Sequence, residues 1–126
     1  MANESAFEKL EKIVYDNDTE AFKTFFEKEG NDIDIQNRYG WTPLHIAIRR
    51  GRKEMVTYLL DNGADIDRVD GVGWTPLMEA VMDNMADLCK LLIERGADTT
   101  VKNQRGATAF MLAQKFGRTD MLPFFA

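Results

Sequence analysis

The stretch Gly40-Trp41-Thr42-Pro43-Leu44-His45-Ile46-Ala47 decides how the chain is read, because two partial copies follow it. Gly73-Trp74-Thr75-Pro76-Leu77-Met78-Glu79-Ala80 lies 33 residues further on, and Gly106-Ala107-Thr108-Ala109-Phe110-Met111-Leu112-Ala113 another 33 beyond that. A fixed period of this length marks stacked units, each a small supersecondary element that cannot bury its apolar face alone. Thr-Pro starts a short helix, with proline in the first turn where its missing N–H leaves nothing unpaired. The small Ala47 and Ala80 allow paired helices to approach closely. Gly51 and Asn84 then stand where the link between helices needs a left-handed backbone, which both residue types tolerate.

Working outward, Glu54 to Asp61 and Asp87 to Glu94 read as second helices, carrying Met55, Val56, Leu59, Leu60 and Leu88, Cys89, Leu92, Ile93 at helical spacing. Gly63 and Gly96 close them. The segments from Asp65 to Asp70 and from Asp98 to Asn103 read as protruding hairpin-like connections. Upstream, Ser5-Ala6-Phe7-Glu8 has a capping-box pattern ahead of Phe7, Leu10, Ile13 and Val14, and Asp18-Thr19-Glu20 opens a second helix carrying Phe22, Phe25 and Phe26. Aligned on helices this first unit sits 34 residues before the next, so one extra residue is expected between Phe26 and Gly30, in the last turn of the helix. Downstream, Thr119-Asp120 starts a short final helix, with Phe125 at the register of Leu59 and Leu92 and expected to plug the core. The units are expected at about 1–38, 39–71, 72–104 and 105–126, the outer two as caps, within a single domain of 126 residues.

The period together with Thr42-Pro43-Leu44-His45-Ile46-Ala47 resembles the ankyrin-repeat family, and the resemblance covers nearly the whole chain. It implies an all-α fold, a solenoid of stacked helix-turn-helix units joined by hairpin-like loops. It also implies that His45 packs and hydrogen-bonds within its own turn, and that a partner protein is bound through the hairpin tips and the concave face of the first helices. The family's variable positions fall here on Arg38, Tyr39, Trp41, Arg49, Arg50 and Val69 in the second unit. In the third they fall on Gly71, Val72, Trp74, Met82, Asp83 and Lys102, in the fourth on Gln104, Arg105, Ala107, Lys115 and Phe116, and in the first on Tyr15 and Asp16. Glu79 joins them because a carboxylate replaces Ile46 and Leu112 at its register, and its burial would demand a partner group. Tyr39, Trp41 and Trp74 have the composition of an interface hot spot, although a tryptophan after the repeat glycine can equally pack over the neighbouring turn.

Composition narrows the remaining classes. A hydrophobic content of 44% with 29% charged residues is that of a globular protein. The formal net charge of −5 disfavours nucleic acid and anionic membrane as partners. No apolar run approaches the roughly 18 residues that span a bilayer, and the first residues do not read as a signal peptide. One cysteine, Cys89, at an apolar register, points to a reducing, cytoplasmic setting and an inert thiol.

Catalysis and cofactors find little support. One histidine and one cysteine cannot assemble a Cys/His zinc site, and the only serine, Ser5, sits in the expected helix cap. Asp65-Ile66-Asp67-Arg68-Val69-Asp70-Gly71 misses the calcium-loop register, with Pro76 where a glutamate is needed. No phosphate-binding glycine loop is present. Arg49-Arg50-Gly51-Arg52-Lys53 is a basic cluster that reads in two ways: Arg49 and Arg50 offset a helix C-terminus with the rest solvated, or the cluster is a docking patch for an acidic partner surface. The expected function is thus a non-enzymatic, monomeric binding module without cofactor or metal, which inhibits, sequesters or bridges a partner protein. The alternative is a self-assembling homodimer.

Overall fold

The computed structural model describes residues 2–126. Seven α-helices, and no strand, occur among them: α1 (Ala2–Tyr15), α2 (Thr19–Glu27), α3 (Pro43–Arg49), α4 (Lys53–Asp61), α5 (Pro76–Met82), α6 (Ala86–Glu94) and α7 (Ala109–Lys115). A 3₁₀ turn over Leu122–Phe125 follows. α1, α3, α5 and α7 stack in that order as first helices, each paired with the element that follows it.

The first helices α3, α5 and α7 start at Thr42, Thr75 and Thr108. Each threonine has extended backbone, and its hydroxyl accepts the N–H of the residue three positions on. That satisfies one of the amides a helix N-terminus leaves open. The links out of the first helices turn through left-handed residues at one register: Asn17, Gly51, Asn84 and Gly117, with φ of 54°, 68°, 58° and 69°. Between units, the chain forms a hairpin tip closed by paired backbone bonds. Asn37 N–H donates to Trp41 O, Asp70 N–H to Trp74 O and Asn103 N–H to Ala107 O. The tips therefore lie at the end of the segments expected to protrude, and continue into the repeat glycine. Gly40 permits adjacent tips to touch: it has φ +78°, and a Cβ there would collide with the Gly71 amide nitrogen and stand 2.9 Å from the Asp70 carbonyl carbon.

The core runs unbroken along the stack, from Phe7, Leu10, Phe22 and Phe25 through Leu44, Ile48 and Leu59 to Leu77, Leu92 and Met121. Three expectations need correction. Ser5 does not cap a helix, because α1 has already begun at Ala2 and Ser5 lies inside it. The extra residue of the first unit is not in the helix, since α2 and α4 are both nine residues long; it falls in the Lys28–Glu29 turn before Gly30. Phe125 does not plug the core. It stays half-buried against the Phe110 ring, 5.6 Å away, while Met121 is the side chain fully enclosed. Pro123 has no N–H to return to Thr119, so the segment tightens into a 3₁₀ turn that leaves Phe125 half-buried, while Met121 is enclosed at the register of the buried Met55 and Leu88.

Candidate functional site

Each hairpin tip is held from inside by one side chain. Asn37 Oδ1 accepts the amides of Tyr39 and Trp41 at 2.9 and 3.0 Å. Asp70 Oδ1 accepts those of Val72 and Trp74 at 3.0 and 2.9 Å, and Asn103 Oδ1 those of Arg105 and Ala107 at 2.9 and 3.0 Å. These bonds fix the backbone at the tips, so Tyr39, Val72 and Arg105 project from defined positions. Tyr39 is 56% and Val72 55% exposed.

From the first tip the aromatic side chains run into a ladder of alternating rings and cations. The Arg38 guanidinium lies 5.5 Å from the Tyr39 ring centre, the Tyr39 and Trp41 rings are 5.2 Å apart, and the Arg49 guanidinium stands 4.5 Å over Trp41. Arg50 stacks separately on Tyr15 at 5.0 Å. Arginine is suited to both roles, being weakly hydrated and planar. The basic cluster is therefore not a run of solvated charges. Arg52 belongs to the scaffold: its Nε donates to Val14 O at 2.9 Å and its Nη2 to Tyr15 O at 2.7 Å, capping the C-terminus of α1. Arg118 makes the same pair of bonds to Val81 and Met82 at the end of α5.

Two grooves open between the tips and the first helices. One, of about 330 Å³, is lined by Trp41, Arg49, Arg50 and Asp83 together with Glu11, Val14 and Ile46. The other, of about 500 Å³, gathers Val72, Trp74, Met82, Arg105, Lys115 and Phe116, with Met111 and Leu112 below them. Most of the candidate residues thus line one groove or the other, while Tyr15, Asp16, Arg38, Tyr39, Val69, Gly71, Glu79 and Lys102 line neither. Trp41 and Trp74 are half-buried against the core, so each packs over the scaffold and also presents an edge to a groove. Gly71 serves the scaffold, its amide donating to Tyr39 O at 2.8 Å.

Glu79 finds its partner on its own helix. Burial, then the hydrogen bond and the charge of Asp83 one turn on, push its carboxyl up to about 8, against the opposing pull of Arg49. Asp83 Oδ2 is buried without a partner among the described residues. A proton on Glu79 lets it donate to Asp83, so one proton serves both carboxyls. Cys89 is buried at the helix register of Val56 and its thiol is pushed up to about 11 by that burial, which keeps it inert. Among the described residues, no three His, Cys, Asp or Glu side chains are grouped as a metal site requires.

This geometry, helix pairs stacked at a period of 33 with glycine-supported hairpin tips, is matched by comparison with known families. The family described as "Ankyrin repeats (3 copies)" matches residues 10–103 and, again, 77–126. The chain belongs to the ankyrin-repeat family. Ankyrin repeats are generally protein–protein interaction modules, which accords with the exposed aromatic and basic residues at the tips and first helices. No curated protein matches the chain significantly. No helix among the described residues is long and apolar enough to cross a membrane.

Sequence reasoning missed Glu11, Val14, Ile46, Met111 and Leu112 as groove residues. Met111 carried a usable signal. It shares the register of His45 and Met78, which are fully buried, yet it is 47% exposed, since among the described residues no first helix packs on the far side of α7. The carboxamide or carboxylate at Asn37, Asp70 and Asn103 was also legible as a 33-residue repeat.

Proposed function

We propose that residues 1–126 act as a single ankyrin-repeat domain of four units, an N-terminal cap, two full repeats and a C-terminal cap, that binds another protein and has no catalysis of its own. Binding uses the hairpin tips and the faces of the first helices, and its consequence is to inhibit, sequester or bridge the partner in the cytoplasm, with the module itself a monomer. The observation that carries this reading is the Arg38–Tyr39–Trp41–Arg49 ladder beside the first groove. Pre-stacked aromatic and arginine side chains lose little conformational freedom on binding and are the residue types that dominate interface energies.

The experiment is affinity capture from the source cell with the wild-type chain, with Tyr39→Ser/Val72→Ser, and with Trp41→Ala/Trp74→Ala. Tyr39 and Val72 project into solvent, so the first variant should keep its helical signal and melting temperature while losing the captured protein. The tryptophan variant should lose capture together with some stability, because both rings pack on the core. Undiminished capture by both variants sinks the reading.

A second reading, self-association into a homodimer, is favoured by one feature. Phe110 and Phe125 pack together at the end of the stack with Phe110 still 38% exposed. A single monomeric species in sedimentation equilibrium at high concentration excludes it, and a Phe110→Ser variant that dissociates a dimer would support it.

A further inference from the structure

The two grooves differ in charge. In the first, Arg49 and Arg50 share the lining with Glu11 and Asp83, so opposite charges offset each other. In the second, the only charged residues are Arg105, on the third hairpin tip, and Lys115, in the last turn of α7. Neither forms an ion pair among the described residues. Lys115 instead rests 5.5 Å from the centre of the Phe116 ring. The rest of the lining is mostly apolar, with Trp74, Met82, Met111 and Phe116 beside the polar Asn103 and Gln104. On a chain of net charge −5, this is a place where basic charge stands unopposed around exposed apolar surface.

We propose that this groove takes a linear segment of a partner protein in which one bulky apolar side chain is flanked by aspartate or glutamate. The proposal rests on the protein-binding reading above and names the chemistry that the partner must carry at one of the two grooves. The apolar anchor supplies the affinity, because burying a large side chain outweighs an exposed ion pair. Arg105 and Lys115 supply the selectivity, since the sign of a flanking charge decides which segments approach. A groove of about 500 Å³ lies within the ~300–1,000 Å³ range of sites that enclose small ligands, so it admits a large side chain and its neighbour. Met82 and Met111 adapt their shape, so the anchor is selected by size and apolarity more than by outline.

The test is selection of a random-peptide phage library on the full chain, followed by fluorescence polarisation of the enriched peptides at low and high salt. Enriched sequences are expected to place an acidic residue beside Leu, Met, Phe or Trp, and their binding should weaken as salt rises. Arg105→Glu with Lys115→Glu should weaken them roughly tenfold or more and turn selection toward basic flanks. Phe116→Ala should weaken binding roughly tenfold whatever the flanking charge. All three substituted side chains are exposed, so an unchanged melting temperature is the control for folding.

The proposal is overturned by a selection that enriches nothing, by enriched peptides without acidic bias, or by undiminished affinity in the charge-reversed variant. Peptide-induced amide shifts confined to the first groove would overturn it too. So would a chain that self-associates in sedimentation and is dissociated by the charge reversal, because the occupant would then be a second copy. The two readings fail separately. Affinity capture asks whether any protein is bound, whereas peptide selection asks what this groove accepts.

Discussion

The imidazole Nε2 of His45 lies 2.9 Å from the carbonyl oxygen of Trp74, so a buried side chain of one repeat fastens the hairpin tip of the next. The other ring nitrogen is already engaged, since Nδ1 accepts the Thr42 amide at 3.2 Å and stands 2.8 Å from its hydroxyl. Nδ1 must therefore be the acceptor and Nε2–H the donor, which fixes the neutral tautomer. The bond to Thr42 lies within one turn, as the family resemblance implies. The bond to Trp74 crosses between repeats.

His45→Ala should therefore destabilise the fold by about 2–3 kcal/mol, because it leaves the Thr42 amide without its partner, strips the Trp74 carbonyl of one of its two donors and opens a cavity. Thermal unfolding by circular dichroism reads this directly. The pH dependence is a second check. Burial holds His45 below its ordinary 6.5, more strongly than the Trp74 bond and the Asp70 charge raise it. The unfolded chain then binds the proton first, so this contribution is complete above about 6.5 and is lost as pH falls through the lower folded value. The wild-type melting temperature should drop across that interval, and the drop should shrink in a His45→Gln variant.

Glu79 carries the opposite sign. Its carboxyl is raised in the folded state to about 8, so folding is favoured by protonation below the ordinary 4.5 and the advantage is lost as pH rises through 8. Glu79→Gln keeps the donor to Asp83 without the ionisation. It should raise the melting temperature at pH 8.5 by about 4 °C, equivalent to about 1 kcal/mol for a domain of this size, and flatten the profile above neutrality. A variant as sensitive to alkali as the wild type would show that the pair is not the origin.

Gly40→Ala should cost about 2–3 kcal/mol although the side chain added is a single methyl group. The position combines φ +78° with contact against the Asp70–Gly71 backbone of the next tip, so neither rotation nor a shift of a flexible side chain relieves the clash. Gly63→Ala is the control. Its φ of +86° is similar but the space beside it is open, so it should cost less, about 1 kcal/mol. Chemical denaturation of the two variants gives the difference.

Arg52→Ala and Arg118→Ala should each lower stability by about 1–2 kcal/mol, since each removes two bonds from a charged donor to carbonyls at a helix C-terminus. Lysine should restore only part, because a single ammonium cannot reproduce the two-pronged geometry of the guanidinium. Arg49→Ala, whose guanidinium stacks on Trp41 over an open groove, should cost less stability than either. Equal losses in all three would place Arg49 in the scaffold as well.

Much of the fold was legible because its signals are local. Thr42, Thr75 and Thr108 cap helices through bonds only three residues long, and Gly51 and Asn84 need nothing beyond their own backbone preference. The failures came where a neighbour had to be known. Ser5-Ala6-Phe7-Glu8 fits a cap in isolation, but the helix was already under way. Phe125 has the right register for the core, yet Pro123 changed the type of turn and left Phe125 half-buried. Arg52 looks like one charge in a basic run until the end of α1, far upstream in the chain, is brought against it.

By itself, then, the amino-acid sequence determined the repeat, its period of 33, the helix starts and the residue types arrayed along the first helices and tips. Those properties depend on short-range backbone geometry and on a spacing that survives substitution. Only the tertiary structure decided which charges are spent within the molecule and which remain available. Arg52 and Arg118 are consumed by carbonyls of the preceding unit, Arg49 and Arg50 by aromatic rings, and Glu79 by Asp83. Arg105 and Lys115 form no ion pair among the described residues, Lys115 resting on the Phe116 ring, and the proposed binding of an acidic segment starts from that.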